Sequence, residues 1–221
     1  MVSSARRFSI DKARKAQATL STMVIEEDRL PRRIKYVAGA DVAFTQDRVV
    51  GAIAVLSYEE LSIVEEKIAV LSERFPYVPT LLSFREAPAI IASFMKLKVK
   101  PDVIFIDGQG LAHPYRCGLA THIGVVLDVP TIGVAKSKLW GEVVDRDPYD
   151  VLVDPRDGKV IGAILVTKKG FKPIYISVGN KVSLETAIKL VLKTTKPETK
   201  LPEPILAAHR LATKVARRLK N

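Results

Sequence analysis

One carboxylate, Asp41, interrupts the run KYVAGADVAF, which otherwise has the composition of a central β-strand. A lone charge in such a strand costs several kcal/mol unless it is paired, protonated or bound to a metal. Any fold this chain adopts must therefore bring a partner to Asp41. A second apolar run, DVIFID, ends on Asp107 and is followed at once by GQG. Val103, Phe105 and Asp107 fall on one face of that strand. Asp107 then emerges where a parallel strand leaves its sheet, the edge at which ligands of open α/β sheets collect. A third acid, Glu86, begins the helix that follows a proline-containing loop. Each has a plainer reading as well. Glu86 suits a first-turn helix acid, Asp107 suits a turn aspartate before glycine, and Asp41 could pair with a buried arginine.

The pattern around these acids predicts the architecture. Helical spacing with Ser9 as N-cap marks residues 9–27, closed by Pro31. Ile34–Phe44, Val49–Ser57 and Leu61–Leu71 read as an antiparallel meander. A helix over Phe84–Leu97, the strand at Asp102–Asp107, a helix near Gly118–Leu127 and a strand at Thr131–Ala135 follow. Val160–Thr167 and Pro173–Val178 read as a strand pair, and Ser183–Lys193 and Pro204–Leu219 as helices. Three meander strands and then alternating helix and parallel strand predict an α/β fold with a central mixed β-sheet. The segment TTKPETKLPEP is too short for a domain boundary, so residues 1–221 are expected to form a single domain.

Charge narrows the partner. The 35 Lys and Arg outnumber the 24 Asp and Glu, a formal charge of +11. Residues 34–180 balance at zero, while residues 1–33 carry +4 and residues 181–221 carry +7. Basic ends around a neutral centre fit a polyanion such as nucleic acid, although solvated Lys-rich helix faces give the same count. A single cysteine excludes an internal disulfide framework. No apolar run approaches the roughly 20 residues of a membrane span, and no apolar signal core opens the chain. A soluble, cytoplasmic protein is expected, acting as a monomer. Three hard oxygen donors suit Mg²⁺ or Mn²⁺, and three histidines with one cysteine are too few for a zinc preference. Carboxylates around such a cation in a basic protein fit phosphodiester hydrolysis, with one or two metals about 4 Å apart.

Two loops adjoin the acids. In GQGLAHPYRCG, Gly108 and Gly110 would let backbone amides approach a phosphate or a planar base, and His113 could donate to a ligand or satisfy a loop carbonyl. In RFPYVPTLLSFRE, prolines flank Tyr77 and hold its ring outward to stack on bases or wedge between them, or the ring packs back on the protein. Lys136 follows the strand TIGVA, at another exit where it could contact phosphate. His122 reads as a core histidine; His209, in ILAAHRLA, is either a core residue or points to the metal site.

Taken together, GADVAF, FPYVPTLLSFREAP, FIDGQGLAHPYRCGLATHIG, TIGVAKSKL and PEPILAAHRLA resemble the endonuclease V family of DNA and RNA repair nucleases, in order and over roughly residues 36–212. The resemblance implies a ribonuclease H-like fold with helices on both faces of the sheet, and a requirement for Mg²⁺ or Mn²⁺. It implies cutting at the second phosphodiester bond 3′ to a deaminated base, chiefly hypoxanthine, leaving 3′-hydroxyl and 5′-phosphate ends. It assigns Asp41 and Asp107 as the main metal ligands, with Glu86 completing the acidic set. His209 would assist at the metal–water side, Lys136 would support the scissile phosphate, and Tyr77 would be the wedge. Gly108, Gly110, His113 and the Thr80–Leu82 backbone would line the base pocket. Many members carry glycine where this chain has Thr80 and Ala87, which bears on lesion breadth. Inosine-containing RNA is the alternative substrate within the family. Outside it stand a junction or flap nuclease and a non-catalytic binding module.

Overall fold

Residues 9–73 and 75–220 are described by the computed structural model; the basic residues Arg6 and Arg7 lie outside them. After α1 (Ile10–Thr22), the strands β1 (Tyr36–Phe44), β2 (Arg48–Ser57) and β3 (Ile63–Ser72) form the expected antiparallel meander. Next come α2 (Leu82–Phe94), β4 (Val103–Asp107), α3 (Leu119–Leu127) and β5 (Thr131–Ala135). The strands β6 (Glu142–Val144), β7 (Val151–Val153), β8 (Val160–Leu165) and β9 (Ile174–Asn180) complete the sheet, and α4 (Leu184–Thr194) and α5 (Glu203–Lys220) end the chain. Among the described residues, one sheet contains all nine strands in the order β3-β2-β1-β4-β5-β9-β8-β7-β6. β1, β4 and β5 run parallel, and every other pairing is antiparallel.

Alternation along the strands builds a core on each face. Val37, Val103 and Phe105 pack with Ile188 and Val191 of α4 and Ile205 of α5. Their neighbours Ala38, Ile104 and Ile106 point the other way, onto Ala87 and Ile90 of α2 and Leu119 and Ile123 of α3. Each fully buried Ile or Phe contributes about 1.5–3 kcal/mol, so the two layers hold the central strands from both sides.

Two expectations change. The first helix stops at Thr22, because the Ile25 N–H donates to Asn180 Oδ1 (3.0 Å) and the Ile25 carbonyl accepts from the Lys181 N–H (2.6 Å). Those bonds pull the chain off the helix and onto the end of β9. The short strands β6 and β7 were not anticipated, since three residues apiece are too few to show an alternation.

Gly39 controls where α5 lies. It shares the β1 face of Val37 and Asp41, and a Cβ at this position would stand 1.8 Å from the Pro204 carbonyl oxygen. Only a residue without a side chain lets the start of α5 lie directly on β1. Gly39→Ala is expected to cost about 2–3 kcal/mol, read as a lower midpoint in denaturant unfolding. It is also expected to reduce activity, because it displaces the helix that carries His209.

Candidate active site

The register of two parallel strands creates the centre of the site. Ala40 of β1 pairs with Ile106 of β4, so the next residues, Asp41 and Asp107, come side by side where β4 ends. Both point to the α5 face, as their parity with Val37 and Phe105 requires. From α5, His209 Nδ1 donates to Asp41 Oδ2 at 2.7 Å, and the Val42 N–H donates to Asp41 Oδ1 at 2.7 Å. From the end of β5, Lys136 Nζ donates to Asp107 Oδ2 at 2.5 Å. Ligand atoms of Asp41, Asp107 and His209 all lie within 4.8 Å of one another.

This grouping differs from the expected acidic trio. His209, not Glu86, closes the group with the two aspartates. Glu86 lies in the second turn of α2, whose first turn carries no acid, so the helix-dipole explanation for it loses its basis. Its carboxyl is nonetheless pushed up to about 8, by burial first and then by the charges of Asp41 and Asp107. Burial, and then Asp107, also raise Asp41, with His209 and the Val42 N–H opposing. Two carboxyls raised beside Asp107, with an imidazole next to them, make a donor set that a hard divalent cation fits.

A cavity of about 400 Å³ opens beside the acids. It is lined by Glu86, Asp107 and Lys136, by Tyr77 and Thr80 from one loop with Leu82 at the start of α2, and by Gly108 and His113 from the other loop. Tyr77 is 67% exposed, held outward and not packed back. The ends of its loop are tied by the Glu73–Arg85 ion pair and by Phe75 stacked on Phe84. Burial, then the Arg14 charge, lowers His113 to about 4, so its ring is neutral at pH 7. Its Nδ1 accepts from the Tyr115 N–H (3.1 Å), so the proton sits on Nε2, and the ring is hydrogen-bonded to the Thr80 backbone across the cavity.

Gly110 departs from expectation, because it does not line the cavity. Its N–H is spent on Ser177 Oγ (2.8 Å), and a Cβ there would meet the Val178 carbonyl at 2.1 Å. Its role is close packing against β9. Gln109, unforeseen, does line the cavity: Nε2 donates to the Ser137 carbonyl (2.9 Å), while its buried Oε1 has no hydrogen-bond partner. Its place between two glycines was the available signal. His122 is buried, hydrogen-bonded to Ser83 Oγ (3.1 Å) and edge-on to Phe84, a core histidine.

The sequence model of the endonuclease V family matches residues 18–210. The chain belongs to the endonuclease V family. An endonuclease V of Thermofilum pendens is 44% identical over 210 residues, covering 95% of this chain and 90% of that protein. The crystal structure of Streptomyces avermitilis endonuclease V superposes with a TM-score of 0.89 at 36% identity, covering 98% and 97% of the two chains. The Ciona intestinalis enzyme matches with a TM-score of 0.84 at 29% identity, covering 95% and 98%; it was solved with a 24mer DNA containing an inosine followed by a ribo-adenosine. The mixed sheet with helices on both faces is thus the ribonuclease H-like fold of this endonuclease V family. The chain is a nuclease, a hydrolase of the DNA-repair class. Among the described residues, no helix is long and apolar enough to cross a membrane.

The acid cluster predicts how stability responds to pH. Because Glu86 and Asp41 are raised above ordinary carboxyl values, the metal-free folded protein keeps protons that the unfolded chain has released. Stability therefore falls as pH rises from the usual carboxyl range towards about 8. A divalent cation requires the deprotonated ligands. Its stabilising effect on the melting temperature should therefore grow between about pH 5 and about pH 8. An equal rise at both pH values, measured against a chelator control, would count against a carboxylate metal site.

Proposed function

We propose that this endonuclease V recognises deaminated bases in DNA, chiefly hypoxanthine, and hydrolyses the second phosphodiester bond 3′ to the lesion. The observation that carries this reading is the continuity of the cavity with the acid cluster: Asp107, Glu86 and Lys136 are part of its wall. A base held there keeps its own backbone beside the carboxylates. The Ciona relative's inosine-containing ligand supports the choice of base.

Mg²⁺, or Mn²⁺ in its place, would be held by Asp41 and Asp107 with His209, and Glu86, which keeps its proton to about 8 without a cation, would complete the acidic set once a cation draws that proton off. Such a cation supplies water activation and neutralises charge on the scissile phosphate. Lys136, already on Asp107 and half exposed, provides a mobile ammonium for a phosphate oxygen. Tyr77 fills the gap left when the base leaves the stack, a step that costs least for a mispaired base. Gln109 and neutral His113 bring polar side chains to the cavity wall, and loop amides supply further hydrogen-bonding groups for a bound base. Groups placed to match the 6-oxo, N1-protonated edge of hypoxanthine would be left unpaired by adenine, which is the basis for discrimination between the two.

Binding beyond the site falls to α5. His209, Arg210, Thr213, Lys214, Arg217 and Arg218 line one groove of about 480 Å³ that leads away from Asp41. Its cations suit a phosphate backbone without sequence preference. We take the protein to work as a monomer in the cytoplasm. A second reading, cleavage of inosine-containing RNA, is favoured by the ribo-adenosine that follows the inosine in the Ciona ligand.

The test is a cleavage panel with Mg²⁺ or Mn²⁺ on deoxyinosine, deoxyuridine, abasic, ribo-inosine and undamaged strands. Preference for deoxyinosine, with 3′-hydroxyl ends one nucleotide past the lesion, is expected; equal cutting of undamaged strands would point to a structure-specific nuclease instead. Asp41→Ala should lower cleavage about a thousandfold while sparing lesion binding, and wild-type cleavage by this variant would refute the metal assignment. Neutralising Lys214, Arg217 and Arg218 together should reduce the salt slope of binding by about 0.7–0.9 for each phosphate that is no longer neutralised. An unchanged slope would remove α5 from the interface.

A further inference from the structure

α1 buries only two residues, Ala13 and Gln17, and the glutamine is completely inaccessible. A buried carboxamide is costly unless every group is paired, and an apolar side chain would pack the same position without desolvating an amide. Every group of Gln17 is paired. Its Nε2 donates to the Thr80 carbonyl (2.8 Å) and to the Cys117 carbonyl (3.0 Å), and its Oε1 accepts from Arg14 Nη1 (2.9 Å). The two carbonyls belong to different loops, one following β3 and the other following β4, and the cavity opens between them: Tyr77 and Thr80 line one side, His113 and Gly118 the other. Arg14 repeats the lacing one turn earlier. Its Nη2 donates to the Pro79 carbonyl (3.3 Å), and its guanidinium lies 4.2 Å from the centroid of the Tyr115 ring.

The loop on the wedge side needs such a restraint. Thr80 has φ +67°, a left-handed conformation that is unfavourable for a β-branched residue and persists only when surroundings impose it. Its carbonyl is the one that Gln17 holds from behind, while His113 bonds the Thr80 backbone from the opposite loop.

We propose that Gln17 is a positioning residue for the base pocket: its carboxamide spaces the two loop walls and holds Thr80 in its left-handed backbone, setting the width into which the base fits. The inference rests on the cavity being the base pocket. Gln17 touches no substrate; it acts through Thr80 and Cys117.

The experiment compares wild type, Gln17→Leu and Gln17→Asn, each alone and combined with Thr80→Gly. Steady-state cleavage is measured on a deoxyinosine strand and its adenine counterpart, with melting temperature and amide hydrogen exchange over residues 78–82 and 117–119 followed in parallel. Loss of the bridge should raise KM for the inosine strand about tenfold, with kcat within about twofold. It should also lower the inosine-to-adenine ratio and speed exchange in both loops but not in β1. Thr80→Gly should recover much of the loss, because glycine adopts the left-handed backbone unaided. Gln17→Asn keeps an amide but falls one methylene short, and gives the same readout should the leucine variant not fold. A lowered melting temperature with KM, base ratio and loop exchange unchanged would overturn the proposal, as would the absence of recovery with Thr80→Gly. Indifference of the wild-type protein to inosine would overturn the base-pocket reading and this inference with it; inosine preference unaltered by the Gln17 substitutions would overturn this inference alone.

Discussion

Two carboxylates forced together at the ends of neighbouring parallel strands govern this molecule. With ligand atoms within 4.8 Å, Asp41 and Asp107 repel by about 3 kcal/mol at an effective dielectric of about 20. That is as much as burying a large apolar side chain returns. Cationic or polar groups lean in from three directions: Lys136 from the end of β5, His209 from α5, and the Val42 N–H within β1 itself. Glu86 feels the same field and holds its proton to about 8. Such a cluster is tolerable because the rest of the sheet is braced by helices on both faces, and because a divalent cation resolves the repulsion.

Geometry around that cluster divides the labour between the two sides. On the α2 and α3 side, a stiff loop and a glycine-rich loop enclose the cavity, with Tyr77 at its mouth. On the other side, α5 brings His209 to the acids and carries a basic stripe onward to Arg218. Gly39 makes this possible by letting the start of α5 lie against β1 at a distance that any side chain would forbid. The central segment is electrically balanced while the ends of the chain are basic. Charge for holding a polyanion is therefore kept apart from the centre, where a surplus of fixed cations would compete with a metal for the carboxylates.

Local patterns carried most of the architecture. Apolar runs set off by short polar breaks placed β1, β2, β4 and β5, and the face of Asp107 at the end of β4 followed from its parity with Val103 and Phe105. The prolines around Tyr77 left its ring either outward or packed back, and folding leaves it outward. Patterns misled where a local preference met a distant partner. α1 shows helical spacing beyond Thr22, yet Asn180 captures Ile25. Apolar Ile10 at its start and Met23 just past its end are half exposed while Gln17 is buried, since two loop carbonyls required a donor that no apolar residue offers. Gly110 resembled a ligand-facing glycine, but β9 occupies the space beside it.

From the linear chain alone come the metal-suited acids, the basic ends and the family motifs, because strand parity, composition and short-range spacing are written in neighbouring residues. Which group closes the acid cluster was decided only by folding. His209 lies 168 residues from Asp41 in sequence, and the close packing of α5 on Gly39 brings the two together. The width of the cavity was decided in the same way, by an amide on the first helix that reaches loops 63 and 100 residues away. Interactions of that range depend on how layers stack, and no periodicity in the sequence records it.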